Sequence, residues 1–270
     1  MSMYQKHWGL TASPFRDRLD PGAFLESPTH EEALARLDFL VEERRRLGLL
    51  LGPGGSGKSL VLELFSTQMR GKGRPTIALG LTGVEPEEFP VRLAIGLGLN
   101  PARKLPAATI WRLLDDRIAE FRYQQMSTVV LLDDADCAAP AVLTQVTRLA
   151  KSERGRDCRL TIVLAGQSAR MARLPQALLE LAELRIDLEP WEPADTARFI
   201  EGSLLKAGRT APAFREPAVA RLHELAEGIP RRVSQLADLA LLAGAGRRLS
   251  SIDVQTVDSV CRELGAIEVR

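Results

Sequence analysis

Eight consecutive residues, Gly52-Pro53-Gly54-Gly55-Ser56-Gly57-Lys58-Ser59, carry the most readable chemistry in this chain. They satisfy G-x-x-x-x-G-K-[ST] at every defined position. Glycines without a Cβ let backbone N–H groups converge on phosphate oxygens, and the dipole of a following helix favours the negative charge. Lys58 offers an ammonium for the β- and γ-phosphates, and the Ser59 hydroxyl offers an oxygen to Mg²⁺. A nucleotide-binding segment is therefore expected from Gly52 through Leu60, with ATP and Mg²⁺ as cofactors. An accidental glycine-rich turn would lack the right flanks. Here Leu47-Gly48-Leu49-Leu50-Leu51 reads as a buried strand, and Leu60-Val61-Leu62-Glu63-Leu64-Phe65 as a helix without breakers.

Two adjacent carboxylates, Asp133 and Asp134, close the apolar run Ser127–Leu132, which reads as a strand buried on both faces of a parallel sheet. Asp133 lies 74 residues after Ser59. A carboxylate there can hold the Mg²⁺ shell that offsets developing phosphate charge. The plainer alternative is an aspartate capping the next turn. Another strand-like run, Thr76–Leu79, lies between the two motifs, as in ATPase-type P-loop proteins and unlike small-molecule kinases. Asp134 stands where such ATPases usually use glutamate to polarise the attacking water. Its side chain is one methylene shorter, so water would be held less well. A catalytic and a structural Asp134 both remain open, and with them slow hydrolysis or an ATP-bound switch.

The elements that must position these groups follow from the rest of the chain. At 270 residues it is long for one core, and two domains are expected. Hydrophobic residues at 45% and charged residues at 26% are ordinary for a soluble globular protein. A net charge of +1, from 36 basic and 35 acidic residues, gives no global pull toward nucleic acid or an anionic membrane. No apolar run approaches the roughly 18–20 residues that cross a bilayer, so no membrane insertion is expected. The first residues have no apolar signal core behind them. Three widely spaced cysteines, Cys137, Cys158 and Cys261, suggest neither a disulfide frame nor a zinc site and fit the cytoplasm.

Five strand-like runs, Leu47–Leu51, Thr76–Leu79, Ser127–Leu132, Leu160–Ala165 and Leu184–Leu188, alternate with helical stretches. That pattern predicts an α/β P-loop domain with a doubly wound, five-stranded parallel sheet. Residues 1–28 are aromatic and proline-punctuated, and read as an irregular segment wrapped on that domain. Thr29 and Glu32 form a capping box opening a helix to Arg46. Beyond Glu189-Pro190-Trp191 no strand-like run appears. Four amphipathic stretches there predict a small all-helical domain, the last opened by Ser250 and Asp253. The expected boundaries are 1–190 and 191–270.

Several short motifs then line up along the chain: Met3-Tyr4, Trp8-Gly9-Leu10, Pro14-Phe15 and Ser27-Pro28-Thr29-His30-Glu31-Glu32-Ala33-Leu34 at the front. Further on come Asp133-Asp134-Ala135-Asp136, Leu164-Ala165-Gly166-Gln167 and Gly228-Ile229-Pro230-Arg231. On these, over almost its whole length, the chain resembles the AAA+ ATPases of the ExeA/GspA type of bacterial general secretion. That group is related to the TniB/TnsC-like transposition ATPases and, more distantly, to origin-recognition ATPases. The resemblance implies an AAA+ fold whose helical domain is a lid over the nucleotide, and a homo-oligomer. It implies that Gln167 is the sensor-1 group near the γ-phosphate, against a plain strand-end amide. It implies that Arg231 is sensor 2, with Arg232 as the neighbouring alternative. Arg185 resembles the arginine that such proteins donate to a neighbour's site, against a surface ion pair. Pro14 and Phe15 would line the adenine pocket, against simple packing.

Departures are equally legible. Asp134 replaces the family's glutamate and Asp136 its glutamine. Secretion-type members continue into a transmembrane helix and a peptidoglycan-binding region, whereas this sequence ends at Arg270, so no pore-anchoring role is expected. The expected function is an AAA+ ATPase that binds ATP-Mg and hydrolyses it to drive oligomerisation and remodelling of a protein partner. The alternative is an ATP-dependent DNA-binding regulator of the transposition type, which the basic loops at Arg70, Lys72, Arg74 and at Lys151, Arg154, Arg156, Arg159 permit. A non-hydrolysing nucleotide-binding scaffold is the third reading.

Overall fold

The structure, a computed structural model, describes residues 3–15, 27–102, 105–152 and 158–268. Arg154 and Arg156 of the basic loop lie outside the described residues. Two compact units form: Pro28–Pro53 with Lys58–Leu188, and Met1–Ser27 with Gly54–Gly57 and Glu189–Arg270.

In the first unit the apolar runs become five strands: β1 (Leu47–Leu51), β2 (Thr76–Gly80), β3 (Thr128–Asp133), β4 (Leu160–Gly166) and β5 (Leu184–Asp187). All pair in parallel, in the order β2-β3-β4-β1-β5. Parallel strands need crossovers, and helices supply them on both faces. Side chains along each strand therefore alternate between two apolar cores. Leu50, Val129, Leu131 and Val163 meet Leu37 and Leu40 of a helix at Pro28–Glu42 and Val61 and Phe65 of another at Lys58–Gly71. Leu49, Val130, Leu132, Ile162 and Leu164 share the other core with Phe89, Trp111, Leu114 and Val146. Those side chains come from helices at Glu88–Gly96, Ala107–Tyr123 and Pro140–Ala150. The Pro28 helix packs so closely that a Cβ on Gly48 would lie 2.3 Å from Leu40 Cδ1. It begins one residue before the expected cap. Proline suits a first helical position, where its missing N–H costs no bond, so Thr29 lies inside the helix.

With the remaining helices, the chain-order labels are α1 (Met3–Trp8), α2 (Pro28–Glu42), α3 (Lys58–Gly71), α4 (Glu88–Gly96), α5 (Ala107–Tyr123), α6 (Pro140–Ala150) and α7 (Gln176–Leu179). They continue with α8 (Pro193–Lys206), α9 (Glu216–Ala226), α10 (Pro230–Gly246) and α11 (Val254–Glu268). None is long and apolar enough to cross a membrane among the described residues.

The second unit holds α1 and α8–α11. The front of the chain, expected on the α/β domain, belongs here instead, because its aromatic side chains complete the helical core. Trp8, Leu10 and Phe15 are buried with Trp191, Leu204, Leu222 and Leu241. Small residues of α10 make the room: Ala237 and Ala240 are fully buried, and a Cβ on Gly244 would lie 2.9 Å from the Trp8 ring. The Trp8 indole N–H donates to the Leu241 carbonyl at 2.8 Å, which satisfies its one polar atom.

Asp253, not Ser250, caps α11. Its Oδ1 accepts the Thr256 N–H at 3.0 Å and the Thr256 hydroxyl at 2.8 Å. Those two bonds hold the Asp253 carboxyl below its ordinary pKa. A lowered carboxyl pKa contributes stability above the unfolded-state value and loses it as pH falls through the folded-state value. Asp253→Ala is expected to cost about 1 kcal/mol in urea denaturation at neutral pH. The difference from wild type should shrink once the pH falls below about 4, the ordinary aspartate value.

Candidate functional site

The chain leaves β1 at Leu51, turns through Gly52–Gly57 and enters α3 at Lys58, so the strand–loop–helix context expected for the motif is present. Gly55 at φ +87° and Gly57 at φ +99° occupy backbone regions that side chains disfavour, which makes these two glycines conformational requirements. Lys58 is buried, and its ammonium donates to the loop's own carbonyls at Gly52 (3.0 Å) and Pro53 (2.8 Å). Ser59 and Leu60 follow in the first turn of α3, both half-buried.

Parallel register aligns the strand ends. Leu51 pairs with Gly166 and Leu132 with Leu164, so Gly52, Asp133 and Gln167 all emerge at one edge of the sheet. Ligands of open α/β sheets bind outside this carboxyl edge. Asp133 is the last residue of β3, and its Oδ1 accepts the N–H of Asp134 at 2.9 Å. Asp134 adopts φ +52°, a left-handed conformation that aspartate tolerates better than most residues. The Thr82 hydroxyl donates to its Oδ2 at 3.4 Å. Partial burial, then the charge of Asp133, push the Asp134 carboxyl above its ordinary pKa; Asp136 adds to this, while Thr82 and Lys58 oppose it. Gln167 follows β4 directly, and its N–H donates to Asp136 Oδ1 at 3.1 Å. Its side-chain amide makes no hydrogen bond among the described residues.

Arg231 lies in the helical unit, in the first turn of α10, and so do loop residues Gly54–Gly57. The Arg231 N–H donates to the Gly55 carbonyl at 3.3 Å, and a Cβ on Gly55 would lie 2.8 Å from Arg231 Cβ. Arg232 instead pairs with Glu227 at 3.4 Å. Two further residues that the resemblance named are held by other partners. Arg185 pairs with Leu49 in the strand ladder, short of the carboxyl edge, and forks onto Asp187 with its Nε at 2.8 Å and Nη2 at 2.8 Å. Phe15 is buried in the helical core against Phe199 and Phe214, with ring centroids 5.9 and 6.2 Å away, so its ring is packed and offers no face to a base.

The sequence reading missed Thr82 and left Asp136 without a role. Each is a polar residue just beyond a strand, and only the strand order makes it a neighbour of the site.

A family profile described as an AAA domain matches residues 41–174. General secretion pathway protein A of Aeromonas hydrophila is 29% identical over 249 residues, which is 91% of this chain and 45% of that protein. The chain thus spans about half the length of this curated relative. Among solved structures, Cdc6p of Pyrobaculum aerophilum superposes with a TM-score of 0.71 at 19% identity, covering 93% of this chain and 70% of that one. The Aeropyrum pernix ORC1 protein, solved in complex with DNA, gives 0.65 at 19% identity, covering 96% and 69%. The RuvB Holliday junction branch migration motor of Thermotoga maritima gives 0.56 at 14%, covering 93% and 73%. Phosphate loop, strand order, matched segment and shared backbone make this chain a P-loop protein of AAA+ fold.

Proposed function

We propose that the chain binds ATP with Mg²⁺ at the carboxyl edge of the sheet and hydrolyses it, as an AAA+ ATPase of the GspA type. The convergence of Lys58, Asp133, Asp134 and Gln167 at that edge, beside a loop with left-handed glycines, carries this reading. Backbone N–H groups between Gly52 and Leu60, Pro53 excepted because it has none, hold the phosphates, and Lys58 exchanges its loop carbonyls for the β- and γ-oxygens. The Ser59 hydroxyl and the Asp133 carboxylate are hard oxygen donors of the kind Mg²⁺ takes, and two adjacent carboxylates favour a cation there. When bound, the ion neutralises charge developing on the phosphates. Asp134 accepts the proton of the attacking water, with Thr82 steadying its other oxygen. Gln167 directs its amide to the γ-phosphate. Arg231 brings a planar, permanently charged fork from the start of α10. Arg185 acts on a neighbouring copy, which requires it to release Asp187. Nucleotide state drives homo-oligomerisation and remodelling of a protein partner, and three cysteines not joined by disulfides fit the reducing cytoplasm as the compartment.

Single-turnover phosphate release tests the chemistry. Asp134→Asn should slow it about 100-fold or more while ATP affinity stays within about twofold. Equal rates would remove Asp134 from the mechanism. DNA is the second reading, favoured by the Aeropyrum neighbour's capture with DNA. Size-exclusion chromatography with light scattering, with and without ATP and duplex DNA, separates the two. An ATP-dependent rise in mass without DNA supports the first, and a mass shift that needs both ATP and DNA supports the second.

A further inference from the structure

Asp136 has no part in the phosphate chemistry above, yet it is only 3% exposed. It sits in the short 3₁₀ turn Ala135–Cys137, whose preceding residue is Asp134. Its two oxygens serve different partners. Oδ1 accepts the backbone N–H of Gln167 at 3.1 Å. Oδ2 faces the Arg170 guanidinium at 3.7 Å and the Cys137 thiol at 3.7 Å. Arg170 belongs to the 3₁₀ turn Ser168–Arg173 that follows Gln167, and its side chain is 43% exposed. The carboxylate also occupies the space beside β4 that a side chain would take: a Cβ on Gly166 would lie 2.8 Å from Asp136 Oδ1.

Burying a carboxylate against one partly exposed guanidinium is a poor way to gain stability, because desolvation offsets most of the attraction. What the arrangement does achieve is geometric. Sheet pairing ends at Gly166, so the ladder cannot place Gln167. Asp136 takes over as acceptor one residue later and fixes that backbone to the turn that begins with Asp134. We propose that Asp136 is a positioning residue: it clamps Gln167 to the turn of Asp134, so that the two side chains flanking the γ-phosphate keep one spacing. This rests on the ATPase reading given above. Gly166 is the partner of the clamp, since only a residue without a Cβ lets the carboxylate reach. A displacement of about 1 Å at a reacting group can cost on the order of 100-fold in rate.

The test is a mutant cycle in steady-state ATP hydrolysis with ATP affinity measured separately. Asp136→Ala should lower kcat roughly 10- to 100-fold, with the ATP Kd within about twofold of wild type. Asp136→Asn keeps an Oδ1 acceptor for the Gln167 N–H and should retain kcat within about threefold. Gln167→Ala should show the same loss as Asp136→Ala, and the double variant should lose no more than Gln167→Ala alone, because the clamp acts only through Gln167. A purely architectural Asp136 would lower the melting temperature and leave the kcat of folded protein unchanged. Should Asp136→Ala be too unstable to assay, Gly166→Ala reports instead, since its methyl displaces the carboxylate; the same drop in kcat at unchanged Kd is expected. If Gln167→Ala turns over like wild type, the role of Gln167 falls and the clamp with it. If Gln167→Ala is slow while Asp136→Ala or Gly166→Ala matches wild type, or the two losses multiply, the clamp alone is overturned.

Discussion

Lys58→Ala should abolish useful ATP binding, raising the Kd about 100-fold or more in isothermal titration calorimetry. The expectation comes from the state of the ammonium in the structure. It is 7% exposed and already anchored to two carbonyls of the loop it must serve, Gly52 and Pro53. Exchanging those neutral acceptors for phosphate oxygens puts opposite charges on both partners of bonds that an ionised donor already makes worth roughly 1.5–3 kcal/mol each, and so strengthens them. Loss of about 3 kcal/mol is two orders of magnitude in affinity. The fold should survive, because the two carbonyls left behind lie on a loop where water can replace the ammonium. Far-ultraviolet circular dichroism should therefore match wild type. An ATP affinity within threefold of wild type would place the nucleotide elsewhere.

Gly228→Ala is expected to be the most destabilising single methyl in the helical unit. Gly228 has φ +66°, and a Cβ there would lie 2.4 Å from the Trp191 carbonyl oxygen and 3.1 Å from the Trp191 nitrogen. Neither backbone atom can yield cheaply, since the Trp191 N–H donates to the Gly228 carbonyl at 2.8 Å. Left-handed strain costs on the order of 1–3 kcal/mol and overpacking a similar amount, so a total loss of roughly 2–5 kcal/mol is expected in chemical denaturation. Gly246→Ala is the control: a Cβ there meets nothing within 4 Å, and the change should be neutral or slightly stabilising. Equal stability of the two variants would mean that the backbone at Gly228 adapts freely. This contact also explains the glycine of the Gly228-Ile229-Pro230-Arg231 motif: it brings the chain against Trp191 just before α10 presents Arg231.

What could be read before folding follows the range over which each signal acts. The phosphate loop is legible because its chemistry is contained in eight consecutive residues. β3 and β4 are legible because covering both faces of a parallel sheet demands unbroken apolar runs, as in Val129–Leu132. Asp133 and Asp134 follow from the end of such a run. The bonds that shape the rest of the site join residues whose proximity depends on strand order: Thr82 reaches Asp134 across 52 positions, and Asp136 reaches Gln167 across 31. Apolar runs do not encode that order. The front segment fails for a related reason. Its aromatic residues announce burial, but not which core, and the space for Trp8 depends on Gly244 of α10, where a Cβ would lie 2.9 Å from its ring. At α11 the sequence offers two acidic or hydroxylated caps, and the start of the helix at Val254 selects the nearer one.

The indole of Trp8 has a bearing on how this chain is made. Its hydrogen-bond acceptor, Leu241, lies 233 positions downstream. At about 5–20 residues per second of synthesis, Trp8 leaves the ribosome roughly ten to fifty seconds before its partner exists. The α/β unit between them, continuous in sequence but for the loop Gly54–Gly57, can complete its sheet in that interval. The helical unit cannot, because its core needs both distant stretches at once. Trp8, Leu10 and Phe15 therefore wait as an exposed apolar segment on a nascent chain, where holdase chaperones bind, until α10 is delivered to cover them.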